Sequence, residues 1–129
     1  MFPGGTGVAY NLCNFAEKGS KAEVIPEVAR VIREFHKESK PIGAICIAPT
    51  LIALTLGKLG VTVTVGQKGE AAIEIEKTGA HHEVCAVDDF VTDREHKIVT
   101  TPAYMYGEAA PHEVFKGIRL AMDELVEMA

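Results

Sequence analysis

A chain of 129 residues, 47% apolar and 24% charged, has the size and composition of one domain with a substantial core, so residues 1–129 read as a single unit. Its net charge of −5 and lack of any basic run argue against nucleic acid as a main partner, and no apolar stretch approaches a membrane span. Three cysteines, at 13, 46 and 85, are widely spaced and include no C-x-x-C pair, which speaks against a disulfide framework or zinc site and for a reducing cytosol or organelle matrix.

The segments alternate between helix and strand. Phe2-Pro-Gly-Gly-Thr-Gly7 is a glycine-rich turn leading into a helix predicted over Val8–Ala16. Glu23–Glu38 is an amphipathic helix with Val24, Val28, Val31, Ile32 and Phe35 on its apolar face and Pro26 in its first turn. Lys40-Pro41 stops it and opens a strand, Ile42–Ile45, followed beyond Cys46 by a helix from Ile47 to about Leu56. Val61–Val65 is β-branched throughout and reads as a strand ended by Gly66. A short helix over Glu70–Lys77, closed by Gly79, precedes a short strand over His82–Val87. Phe90–Thr92 and Lys97–Thr101 bracket the polar Asp93-Arg94-Glu95-His96 turn as a hairpin. A terminal helix runs from about Ala110 to Met128, with Val114, Ile118, Ala121, Met122 and Leu125 inward. This order implies a mostly parallel sheet covered on both faces, with sites at the carboxyl ends of its strands.

Two readings fit Cys46. On a sharp strand-to-helix turn it projects above the sheet edge, where the next N–H and the positive end of a helix favour negative charge. Alternatively it is a small buried residue of a core strand. The G-G-x-G turn lacks the Gly-Lys-Ser/Thr ending of a phosphate loop, and an oxyanion-binding turn suits it better, because a glycine such as Gly5 brings its N–H close to a reacting centre.

Phe2-Pro-Gly-Gly-Thr-Gly7, Asn11-Leu-Cys-Asn-Phe-Ala16, Lys40-Pro-Ile-Gly43, Cys46-Ile-Ala-Pro49, Val87-Asp-Asp89 and Val99-Thr-Thr-Pro-Ala-Tyr-Met105 together resemble the ElbB-like branch of the PfpI/class I glutamine-amidotransferase-like superfamily, the isoprenoid-biosynthesis glyoxalase type. The resemblance covers essentially the whole chain. It implies a flavodoxin-like α/β three-layer sandwich with Cys46 as the elbow nucleophile; the turn glycines Gly4 and Gly5, Ile47 after the nucleophile, and Thr101, which closes a strand at the edge where Cys46 emerges, are the candidate oxyanion or substrate contacts. It implies no cofactor and no metal, and a cytoplasmic location, or the mitochondrial matrix for an animal source. Departures accompany it. Family members carry βα units and an acidic residue before the Pro-Gly-Gly turn, so the chain reads as the C-terminal part of the family's domain. Superfamily relatives place a His after the Cys or at the end of the next strand, where this chain has Ile47 and Val65-Gly66. Tyr10 and Cys13 replace a usual Lys and Ser, and Pro111 falls where the terminal helix should already run, delaying or kinking its start.

His82 is a weak candidate base and more simply a loop histidine, and no ligand-spaced partner beside it suggests a metal. Cys13 and Cys85 read as packing residues. Asp88-Asp89 reads as a turn, and Tyr104 and Tyr106 as pocket or core residues. Two functions follow. One is a glutathione-independent glyoxalase-like enzyme forming a Cys46 hemithioacetal with a small 2-oxoaldehyde such as glyoxal or methylglyoxal. The other is a non-catalytic or incomplete member, a structural or redox-sensing scaffold. A glutaminase or peptidase ranks below both, since each wants a His beside the nucleophile. An uncovered edge on the Ile42–Ile45 strand predicts a homo-oligomer or a partner completing the sheet, unless the Phe2 segment moves in to cover it.

Overall fold

The computed structural model describes all 129 residues, and one short strand organises it. β1 (Ile42–Ile45) runs parallel to β5 (Ile98–Thr101), in register from Ile42 opposite Ile98 to Ile45 opposite Thr101. β4 (Val91–Asp93) adds antiparallel to the far side of β5 as the expected hairpin, giving the order β1-β5-β4. β2 (Thr62–Val63) and β3 (His81–His82) form a separate parallel pair. Side chains attach that pair to the rest. The Thr62 N–H donates to the Asp93 carboxylate at 2.8 Å, and the Thr64 N–H donates to Thr100 Oγ1 at 3.0 Å.

Alternation along β1 sends Ile42 and Ala44 to one face and Gly43 and Ile45 to the other. On the first face, Ile42, Ala44 and Ile98 share a buried cluster with Ile32 of α2 (Pro26–Lys37), Leu51 and Ile52 of α3 (Pro49–Leu56) and Ile75 of α4 (Glu70–Lys77). On the second, α5 (Pro111–Met128) crosses β1 and β5, so a side chain at Gly43 would meet Leu125 and one at Gly117 would meet Thr101. Helices, sheet and helix thus make the three layers of a flavodoxin-like α/β sandwich.

Several boundaries differ from the sequence reading for local reasons. The helix expected over Val8–Ala16 is broken: a π-type turn (Val8–Leu12) ends at Cys13, whose extended backbone bridges antiparallel to Val24, and α1 (Phe15–Lys18) is only four residues. That bridge also removes Val24 from α2, which starts at Pro26. Val61–Val65 keeps only two ladder residues, because the next N–H groups turn to side-chain acceptors: Thr64 to Thr100, Val65 to His82, Gly66 to Thr64. The ladder of the strand expected over His82–Val87 is likewise confined to His81–His82. α5 begins at Pro111 itself, and the proline occupies the first helical turn, where its missing N–H costs nothing. Met122, expected inward on α5, is exposed, and Gly117 takes an inner position instead.

The free edge of β1 is covered by the chain's own first residues. The Phe2 N–H donates to Gly43 O at 2.8 Å, and Phe2 O accepts from the Ile45 N–H at 3.1 Å. This single rung continues the sheet one position past β1.

Gly117 gives a test of the α5 layer. In an exposed helix, Gly→Ala stabilises by about 1 kcal/mol. Here a Cβ would strike the Val87 carbonyl and lie 3.1 Å from Thr101 Oγ1. Gly117→Ala is therefore expected to destabilise by about 1–3 kcal/mol, read as a lower urea midpoint. An unchanged or higher midpoint would show that α5 shifts freely away from the sheet.

Candidate functional site at the strand-to-helix elbow

Cys46 follows the last residue of β1 and sits three residues before α3. Its φ is +63°, a left-handed conformation that costs a non-glycine residue about 1–2 kcal/mol. Neighbouring hydrogen bonds impose it. The Cys46 N–H donates to Thr101 O at 2.9 Å, the Ile45 N–H is held by Phe2 O, and the Ala48 N–H returns to Ile45 O at 3.0 Å. The chain therefore reverses within one residue, leaving Cys46 partly exposed at the carboxyl edge of the sheet. Beyond it, Ile47 O accepts from both the Thr50 N–H and the Thr50 hydroxyl, while the Ile47 N–H has no acceptor in the protein.

The glycine-rich turn lies against this elbow. An ideal Cβ on Gly4 would overlap Cys46 Cβ and sit 3.3 Å from its sulfur, so only a glycine permits the approach. Gly5 has φ +120°, and its carbonyl closes the turn by accepting from the Val8 N–H. The Gly5 N–H is also without a protein acceptor. Local chain geometry thus gathers Gly4, Cys46 and Ile47.

Thr101 and His82 sit differently from their sequence reading. The Thr101 side chain is fully buried and donates to Asp89 O at 2.7 Å, so it lines no pocket; its carbonyl is what holds Cys46. His82 accepts the Val65 N–H on Nε2 at 3.0 Å, which commits that nitrogen to the backbone and makes the ring a brace between β2 and β3. Burial lowers its pKa against the opposing pull of Glu76, which favours the neutral ring that this bond requires. The Tyr106 hydroxyl donates to Cys85 O at 2.6 Å, and Tyr104 is exposed. No group of three His, Cys, Asp or Glu side chains is arranged to hold a metal ion.

The other thiols are buried. Burial raises the Cys13 pKa, partly offset by the Phe15 backbone. Burial pushes Cys85 up to about 12, helped by the negative charges of Asp89, Glu83 and Asp88. Sequence reading missed Asp93. Its buried carboxylate accepts from the Thr62 N–H, the His96 N–H and the His96 ring. Burial alone would raise its pKa, but these bonds outweigh that and hold it low. The only signal was a polar four-residue turn inside a hairpin, which reads equally well as a solvated loop.

Backbone strain at Cys46 has a measurable sign. Cys46→Gly is expected to be more stable than Cys46→Ala by about 0.5–1 kcal/mol, because only glycine adopts φ +63° without penalty. Thermal or urea unfolding of the two variants makes the comparison, and equal stability would mean that the elbow stores no strain.

No family model matches the chain. It is 42% identical over 137 aligned positions to the human glutamine amidotransferase-like class 1 domain-containing protein 3, mitochondrial, an alignment covering 99% of this chain and 50% of that protein. It is 40% identical to the rat ES1 protein homolog, mitochondrial, with the same coverage. The chain thus spans about half the length of the curated relatives it matches. Among solved structures, an isoprenoid biosynthesis protein with amidotransferase-like domain from Ehrlichia chaffeensis superposes with a TM-score of 0.85 at 31% identity, covering 98% of this chain and 57% of that one. In sequence and in fold the chain is similar to class 1 glutamine amidotransferase-like proteins over the part of them that it spans.

Proposed function

We propose that Cys46 is a nucleophile that captures small reactive carbonyl compounds, with 2-oxoaldehydes such as methylglyoxal as the substrate class. The observation that carries this reading is Cys46, partly exposed on a left-handed strand-to-helix turn, next to the unpaired Ile47 N–H. The sulfur adds to the aldehyde carbon, the carbonyl π pair moves to oxygen, and the proton lost by the thiol ends on that oxygen, giving a hemithioacetal. While the oxygen is negative, the free N–H groups of Gly5 and Ile47 are its donors. A glyoxalase must next move a proton between adjacent carbons. His82 is tied to Val65, so the base for that step is sought elsewhere.

The decisive assay is loss of methylglyoxal without glutathione, together with iodoacetamide mapping of the three cysteines. Cys46 is expected to label ahead of buried Cys13 and Cys85, and Cys46→Ala to abolish turnover while His82→Ala keeps most of it. Turnover that survives Cys46→Ala removes the nucleophile. A Cys46 adduct without turnover favours the thiol-bearing scaffold instead. A mitochondrial location is proposed from the names of the animal relatives.

Association with a second copy is proposed on a separate observation. An apolar groove of about 530 Å³ includes Met1, Phe35, Pro41, Leu125 and Val126 beside the Phe2 rung. Val31 and Phe35 of α2, read from the sequence as inward, stand 36% and 43% exposed on this side. Sedimentation at low micromolar concentration is expected to show a dimer that a Phe35→Glu substitution dissolves; a monomeric parent chain removes the proposal.

A further inference from the structure

We propose that Gly4 is a positioning residue for the thiol: its bare Cα face presses on Cys46 and fixes the direction in which the sulfur leaves the elbow. The inference rests on the reading of Cys46 as a nucleophile. Two adjacent glycines in the turn have opposite surroundings. A Cβ at Gly4 would overlap Cys46 Cβ, with Ile45 O at 3.0 Å and the sulfur at 3.3 Å. A Cβ at Gly5 would have nothing within 4 Å. The first glycine is pressed against the elbow and the second faces open space.

Neither partner can retreat cheaply. Two residues before Gly4, Phe2 is fixed to β1 by hydrogen bonds on both its N–H and its carbonyl, and Pro3 stiffens the link between them. One residue after it, the Gly5 carbonyl holds the Val8 N–H. On the other side, Cys46 is fixed through its N–H to Thr101 O. A methyl group at position 4 is relieved only by displacing the elbow, and with it the sulfur.

The experiment compares the parent chain, Gly4→Ala and a control in the same turn, Gly7→Ala. Gly7 has a helical φ of −58°, and a Cβ there meets only Asn11 Nδ2 at 3.4 Å. The readout is the iodoacetamide rate constant at Cys46, followed by peptide mass spectrometry from neutral to alkaline pH, with circular dichroism to report the fold. Gly4→Ala is expected to stay folded and to lower the limiting rate about tenfold or more, while Gly7→Ala stays within about twofold of the parent. A merely structural role would lower the melting temperature and leave the rate profile of the folded protein unchanged, so a folded Gly4→Ala chain with the parent profile overturns the proposal. If Gly4→Ala does not fold, the double variant Gly4→Ala/Cys46→Gly decides. Removing the Cys46 side chain clears the severe overlap and leaves only the tight contact with Ile45 O at 3.0 Å, so the double variant is expected to fold, and failure to fold overturns the proposal. A chain whose alkylation follows these expectations but which leaves methylglyoxal untouched loses the proposed reaction and keeps the role of Gly4.

Discussion

The site depends on a hydrogen bond between two main-chain groups, the Cys46 N–H and the Thr101 carbonyl. It extends the β1–β5 pairing one residue past the end of β1, into a position where the chain is already turning back. Cys46 must then satisfy a strand partner behind it and a helix ahead of it, and only a left-handed φ does both. Position 46 resolves that conflict by holding strain in place of a glycine, and this is the backbone position at which a side chain is best presented above a parallel sheet.

The same bond explains why residues far apart in sequence serve one thiol. β5 supplies the acceptor. The Phe2 rung fixes the residue just before the elbow, and its continuation brings Gly4 onto Cys46. α5 closes the layer beneath through Gly117, against the strand end that carries the acceptor. The hydroxyl of Thr101 is consumed in holding the Asp89 carbonyl, which keeps that end of β5 fixed against the turn before the hairpin. The elbow is therefore supported by backbone contacts, and the contacts that hold Cys46 in place are made largely by main chain.

Much of this was legible in the sequence wherever a pattern is local. Ile42–Ile45 is apolar on both faces and bounded by Lys40-Pro41, so its strand matches to the residue, as does the Glu70–Lys77 helix ahead of Gly79. The elbow was legible because a strand, a cysteine and a helix follow one another without a loop. Other features were hidden because their partners are distant. Nothing near Thr64, Val65 or Gly66 announces that their N–H groups leave the ladder for Thr100, His82 and Thr64 side chains. Thr101 looked like a pocket residue because it ends a strand at the right edge; its neighbour across the layer, Gly117, is sixteen positions away and lets α5 bury it.

Asp93 carries a different consequence. It joins the β2–β3 pair to the hairpin with a carboxylate where most sheets use a run of main-chain bonds. A ladder resists peeling because each rung protects the next, whereas a side-chain joint gives way when a few contacts are lost. The segment from β2 through α4 to β3 is therefore held by the Asp93 and Thr100 side chains and by Val61, Val63 and Ile75, which lie in the core shared with β1 and β5, so loosening either joint acts on that common core.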